Sequence, residues 1–261
     1  MINKMKAKLQ AGKAVVGTIV TMNNATSLRI IGQAGFDYLL IDTQHAPLDI
    51  GGLNEIVLGL GPTESEIVIR VAYNKPWLIN QVLDVGADGV IVPLVNTREE
   101  AENAVSAAKY PPDGVRSWGP KIPEKYASPP GYWARANNEL MVLPQIESVQ
   151  AVENLDEILS VKGLDGIMIG PTDLTLSMGH PQMFPPELPE VDEMIQHILA
   201  KCKEHKVPFG HFTSTLEVAE KWIRRGGQIA TLQSDQAFMA TAAGEALSKV
   251  NDLLAEVQPG A

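Results

Sequence analysis

The sequence predicts an α/β protein folded as a (β/α)8 barrel, and three observations carry that expectation. Short β-rich runs alternate with stretches of helical spacing from one end of the chain to the other, which argues for βα units and a parallel sheet. Eight such runs are spread over 261 residues, the count and size of a single barrel. Neither G-x-G-x-x-G nor a P-loop follows an early run, as a nucleotide-binding open sheet would require.

The elements follow in order. Ala14–Val20 is rich in β-branched residues and opens the sheet, and Ser27–Ala34 has helical spacing before Gly35. Tyr38–Asp42 is an apolar run that ends on Asp42, Glu66–Val71 carries Arg70 next to its end, and Trp77–Val85 is a helix closed by Gly86. "VGADGVIVP" then leads into a strand at Gly89–Pro93, and Thr97–Ala108 is a helix whose Arg98-Glu99-Glu100 face is solvated. Tyr110–Leu140 is too long for a simple crossover and holds a Pro-Pro-Asp-Gly turn with five of the nine Tyr and Trp residues. It reads equally as a lid, a subunit contact or a surface excursion packed on its own aromatics. Met141–Ile146, Gly166–Ile169, Val207–His211 and Gln228–Leu232 are the remaining strands. Ser148–Leu159, Val191–Glu204, Leu216–Arg225 and Asp235–Leu253 are the helices around them, with Gly163 and Gly226 just past helix ends. All 261 residues are expected to form one barrel domain, with the long loop at 110–140.

Composition narrows the function classes. At 45% hydrophobic and 20% charged residues the chain can build a core. With 31 acidic and 21 basic residues it carries −10, the wrong sign for a domain that neutralises phosphates, so nucleic acid is not an expected partner. Cys202 alone cannot form an internal disulfide, Met1–Lys13 lacks an apolar signal core, and no apolar run reaches the roughly 18 residues of a membrane span. A cytoplasmic protein that acts away from membranes is the expectation.

Barrel enzymes place their chemistry at the C-terminal ends of the strands. There stand Asp42 with His45 three residues on, Arg70, Gln145, Glu147 and the turn Gly170-Pro171-Thr172-Asp173. Glu147 and Asp173 follow successive strands and suit a hard divalent ion such as Mg²⁺ or Mn²⁺, or they cap the helices that follow. Asp42 and His45 have the spacing of an oriented acid–base pair. Arg70 ends the apolar "EIVIRV" and needs an anion, from the protein or from a substrate. Backbone N–H groups at Gly170-Pro171-Thr172 are placed to receive a carboxylate. No lysine falls at a strand end, which argues against a Schiff-base aldolase.

"FDYLLIDTQHAPLD" (36–49), "RVAYNKPWLINQVLDVGADGVIVPLVNTREEAENAVSAAKYPPDGVRS" (70–117) and "VLPQIESVQAVENLDEILSVKGLDGIMIGPTDLTLSMG" (142–179) resemble the HpcH/HpaI family of class II pyruvate aldolases. The resemblance implies a barrel of the phosphoenolpyruvate/pyruvate kind with an exchanged C-terminal helix. It implies divalent-metal-dependent, reversible cleavage of 4-hydroxy-2-oxo acids into pyruvate or a related 2-oxo acid and an aldehyde. Glu147 and Asp173 would hold Mg²⁺, Mn²⁺ or Co²⁺, His45 would be the base oriented by Asp42, and Arg70 would stabilise the enolate oxygen. Gln145, Gly170, Pro171, Thr172 and Arg70 would hold the 2-oxo acid. A homohexamer is implied, in which Asp84 reaches a neighbour's site. A synthase that uses the same enolate, or a silent barrel, are the alternatives. Two departures from many relatives are Gln44 in place of Glu and Arg116-Ser117-Trp118 in place of Arg-Gly.

Overall fold

The computed structural model describes residues 3–61, 63–120, 131–181 and 188–258. Eight parallel strands close in sequence order: β1 (Val15–Val20), β2 (Tyr38–Asp42), β3 (Glu66–Arg70), β4 (Gly89–Val92), β5 (Met141–Ile146), β6 (Ile167–Ile169), β7 (Phe209–Thr213) and β8 (Ile229–Ser234), with β8 paired back to β1. The described helices are α1 (Lys4–Gln10), α2 (Ala25–Gly32), α3 (Ile50–Leu60), α4 (Pro76–Asp84), α5 (Arg98–Ala108) and α6 (Tyr132–Glu139), then α7 (Val149–Glu153), α8 (Leu155–Leu159), α9 (Pro171–Ser177), α10 (Pro189–His205), α11 (Leu216–Arg225) and α12 (Asp235–Val257). Among the described residues no helix is long and apolar enough to cross a membrane.

Side chains alternate across each strand, so two apolar layers form. Val15, Tyr38, Leu40, Val68, Ile91, Met141, Leu143, Met168 and Ile229 fill the barrel, and Met5 and Leu9 of α1 pack onto that interior from below. The other face of every strand packs on the helices. A repeated aspartate closes the lower rim. Asp37, Asp88 and Asp165 precede β2, β4 and β6, and each accepts a backbone N–H at the start of the preceding odd strand: Val16 at 2.9 Å, Ile67 at 3.0 Å and Val142 at 2.9 Å. These N–H groups lie where the strand ladder begins, and the carboxylates satisfy them.

Several elements differ from the sequence expectation. Helices α1 and α6 form where the sequence reading has none, and α6 lies within the segment read as a long loop at 110–140. Asn154 interrupts the helix expected over Ser148–Leu159, and its side-chain amide donates to the Asn96 carbonyl at 2.8 Å. The seventh strand starts two residues later than Val207, because Lys206 takes a left-handed φ of 57° and Pro208 has no N–H to give a ladder. A helix also forms at α3 despite Gly51, Gly52 and Gly59, because Asp49 caps it and Leu53, Ile56, Val57 and Leu60 bury one face.

Every connection from a helix back to a strand lies at the N-terminal end of the barrel, opposite the strand ends. The 110–140 segment is such a connection, from α5 to β5. Its described parts are pinned there by Lys109, which donates to the carbonyls of Asn137 and Leu140 at 2.7 and 2.8 Å. A lid over this chain's own strand ends is therefore the wrong reading for the described parts; the topology puts them at the other end.

Candidate active site

The charged strand ends converge at the C-terminal mouth. Asp42 and Arg70 are register partners on β2 and β3, both on the inward face. Arg70 donates from Nε and Nη2 to the two oxygens of Asp42 at 2.9 and 2.7 Å, a bidentate pair that is almost wholly buried. Burial opposes ionisation of Asp42, but the Arg70 hydrogen bonds and charge win, so its carboxyl is held below the usual range. The guanidinium lies 5.3 Å from the centroid of the Phe212 ring.

Glu147 stands just beyond β5 and is 2% exposed. The Leu94 N–H donates to its Oε1 at 2.7 Å and the Gln145 amide donates to Oε2. Leu94 adopts φ of 56°, a left-handed conformation that costs a non-glycine residue roughly 1–2 kcal/mol and that aims its N–H at the carboxylate. Burial, with the nearby charge of Asp173 adding to it, pushes the Glu147 carboxyl up to about 7. Asp173 itself is exposed in the first turn of α9. Gly170 explains the close packing: a Cβ there would sit 2.5 Å from Glu147 Oε2 and 2.6 Å from the Gln145 amide nitrogen.

These residues fit a hard divalent cation. A buried carboxylate whose ionisation is disfavoured by burial and a neighbouring like charge gains most from a positive ion, and both donors are oxygens. Among the described residues no third His, Cys, Asp or Glu joins them.

His45 is exposed after β2, and no hydrogen bond joins it to Asp42. The expected orientation of His45 by Asp42 does not form; the Asp42 oxygens are taken by Arg70 and by the Gln44 backbone N–H at 3.0 Å. Thr172 leads α9, whose first turn has no side-chain cap, while Pro171 has no N–H and contributes only the fixed start of the helix. Gln145 is buried, and among the described residues neither its Oε1 nor the buried Oε1 of Gln44 has a donor. Asp84 is not part of this mouth: it ends α4 at the opposite end of the barrel.

Three participants were not visible in the sequence. Leu94 carries no signal, because leucine disfavours the conformation it adopts. Phe212 looks like any core aromatic. Asp235 is buried and accepts from Thr21 N–H and Oγ1 at 3.0 and 2.8 Å and from Met22 N–H at 3.0 Å, so it fixes the β1–α2 loop beside the mouth. Its signal, an Asp right after a strand, is shared with many ordinary helix caps.

Residues 16–242 match the family model described as HpcH/HpaI aldolase/citrate lyase. The chain belongs to that family. As an HpcH/HpaI protein of the aldolase kind it is a carbon–carbon lyase. It is 36% identical over 236 residues to a 5-keto-4-deoxy-D-glucarate aldolase of Citrobacter koseri, covering 89% of this chain and 90% of that one. Among solved structures, the HpcH/HpaI aldolase from Desulfitobacterium hafniense is 31% identical with a TM-score of 0.85, covering 94% of this chain and 95% of that one. The citrate synthase SbnG is 29% identical with a TM-score of 0.83, covering 95% and 97%.

Proposed function

We propose that the protein is a divalent-metal-dependent class II aldolase that reversibly cleaves 4-hydroxy-2-oxo acids into pyruvate, or a related 2-oxo acid, and an aldehyde. The observation that carries this reading is the pairing, at one barrel mouth, of buried Glu147 packed against Gly170 with the Asp42–Arg70 pair.

Glu147 and Asp173 are the residues that would hold the ion, which when bound supplies Lewis acidity toward the 2-oxo group. Asp42 occupies Nε and Nη2 of Arg70 and leaves Nη1, without a hydrogen-bond acceptor among the described residues, to meet negative charge that develops on the 2-oxo oxygen. The amide of Gln145 and the N–H groups of Thr172 and Asp173 orient the 2-oxo acid; Gly170 keeps the space open and Pro171 sets the helix start. His45, exposed at the mouth, takes the proton from the C4 hydroxyl as the C3–C4 bond breaks and its electron pair passes into the enolate; protonation of the enolate at C3 gives pyruvate, and in the reverse direction the same base takes a proton from the pyruvate methyl group. A second copy of the chain in a homo-oligomer supplies Asp84 to orient His45.

The test is pyruvate release from a panel of 4-hydroxy-2-oxo acids that includes 5-keto-4-deoxy-D-glucarate. Activity is expected to vanish after chelation and to return with Mn²⁺, Mg²⁺ or Co²⁺, and to be lost in Glu147→Ala and Asp173→Ala. No pyruvate from any member, with or without metal, overturns the reading. The likeness to citrate synthase SbnG favours one second reading, carbon–carbon bond formation from an oxaloacetate- or pyruvate-derived enolate. Mass identification of a condensation product would select it.

A further inference from the structure

At the N-terminal end of the barrel, Arg116 is held in a box of aromatic rings. Its guanidinium carbon lies 4.6 Å from the centroid of Tyr110 and 5.7 Å from that of Tyr132. Nη1 donates to the Tyr132 hydroxyl at 3.1 Å and Nη2 to Asp84 Oδ1 at 2.8 Å. The Arg116 side chain is fully buried, while that of Asp84 is 21% exposed. Oδ2 of Asp84 accepts no hydrogen bond from any described residue. Gly119 keeps the space over it open, since a Cβ there would lie 2.8 Å from Oδ2. The same end displays Trp118 and Trp133, 57% and 60% exposed, around a cleft of about 410 Å³ lined by Tyr110, Pro111 and Arg116 as well.

On the proposed reading, His45 and Asp84 are two halves of one arrangement that sit at opposite ends of the molecule. His45 is exposed at the mouth, close to Asp42 but with no carboxylate hydrogen-bonded to it among the described residues of its own chain. Asp84 is a carboxylate clamped through one oxygen, with the other open, and α4 has carried it roughly 13 Å from the mouth. Exposed tryptophans beside it are the side chains that a contact with another copy buries.

We infer that Arg116 is the positioning residue for this chemistry: it fixes Asp84 so that Oδ2 is presented to the His45 of a second copy. The inference rests on the proposed aldolase reading, and goes beyond it in assigning Arg116, Tyr110 and Tyr132 to the same site. Arg116 grips one oxygen in a bidentate-capable fork, and a lysine in its place would keep the charge but lose the grip on Tyr132.

Mixed assemblies made from two differently tagged variants test this. Arg116→Met alone is expected to lose up to about 100-fold in kcat/KM, the scale of a misplaced catalytic group. Paired with His45→Ala it should recover about tenfold over either parent, because the intact His45 of one copy meets the intact Asp84–Arg116 of the other. Paired with Asp84→Asn it should recover nothing, since both variants damage the same half-site. Recovery with Asp84→Asn but not with His45→Ala, or wild-type activity in Arg116→Met, overturns the proposal. The pairing Asp84→Asn with His45→Ala isolates the underlying reading: no recovery there means that Asp84 does not cross between copies, whatever Arg116 does. If Arg116→Met does not assemble by light scattering, Arg116→Lys and Tyr132→Phe pass through the same pairings, with the same outcomes decisive.

Discussion

Asp42, His45 and Gly170 separate stability from chemistry at the level of single side chains. Asp42→Ala removes the partner of a buried guanidinium, so it should cost about 3–5 kcal/mol in denaturant unfolding as well as activity. His45→Ala touches an exposed side chain and should leave the unfolding midpoint within about 0.5 kcal/mol of wild type while activity falls by at least about 100-fold. Gly170→Ala is the sharper probe of the cation site. Its backbone, at φ −94°, accepts a side chain, so the variant should fold. The new Cβ must displace Glu147 and Gln145, so Mn²⁺ binding measured by calorimetry should weaken while circular dichroism stays unchanged.

The β7–α11 layer carries a pH dependence of its own. His211 faces outward from β7 and stacks on Trp222 of α11, with ring centroids 5.3 Å apart and planes 18° from parallel. Burial holds its pKa down at about 3, against about 6.5 in the unfolded chain. Between those values the unfolded chain binds a proton that the native chain does not. The stability His211 contributes is whole above pH 6.5 and is lost as pH falls toward 3, by up to about 1.4 kcal/mol per pH unit. Urea midpoints at pH 7, 6, 5 and 4 should fall less steeply in His211→Phe than in wild type; equal slopes would remove His211 from the account. Elements also show where a sequence reading stops. The strands were legible because apolar β-branched runs and terminal glycines recur, and Gly35, Gly86, Gly163 and Gly226 all take positive φ. The helix α3 was not, since its propensity is poor and only the sheet beneath it favours its buried face. Nor was the break at Asn154, which depends on an acceptor 58 residues away.

At the scale of the whole molecule, α12 leaves an apolar face unburied. After Phe238 every described residue of α12 is exposed, including Leu247, Val250, Leu254 and Val257, which recur at helical spacing. A helix gains most of its stability from packing an apolar face, so this one is expected to dock on another copy. Leu247→Ser with Leu254→Ser should reduce the particle mass in sedimentation while preserving the far-ultraviolet spectrum. Unchanged mass would place the assembly contacts elsewhere.

The sequence by itself determined the barrel and its strand ends, because alternation, apolar runs and glycine stops act over a few residues at a time. It therefore placed Asp42, Arg70, Gln145, Glu147 and Asp173 at one mouth. Only the tertiary structure decided which groups meet there: that Asp42 serves Arg70 instead of His45, that a strained Leu94 N–H holds Glu147, and that Asp84 and the aromatic loop stand at the far end. Those choices turn on distances between residues 28 to 53 positions apart, and on the alternation of strand and helix that sends every helix end away from the mouth.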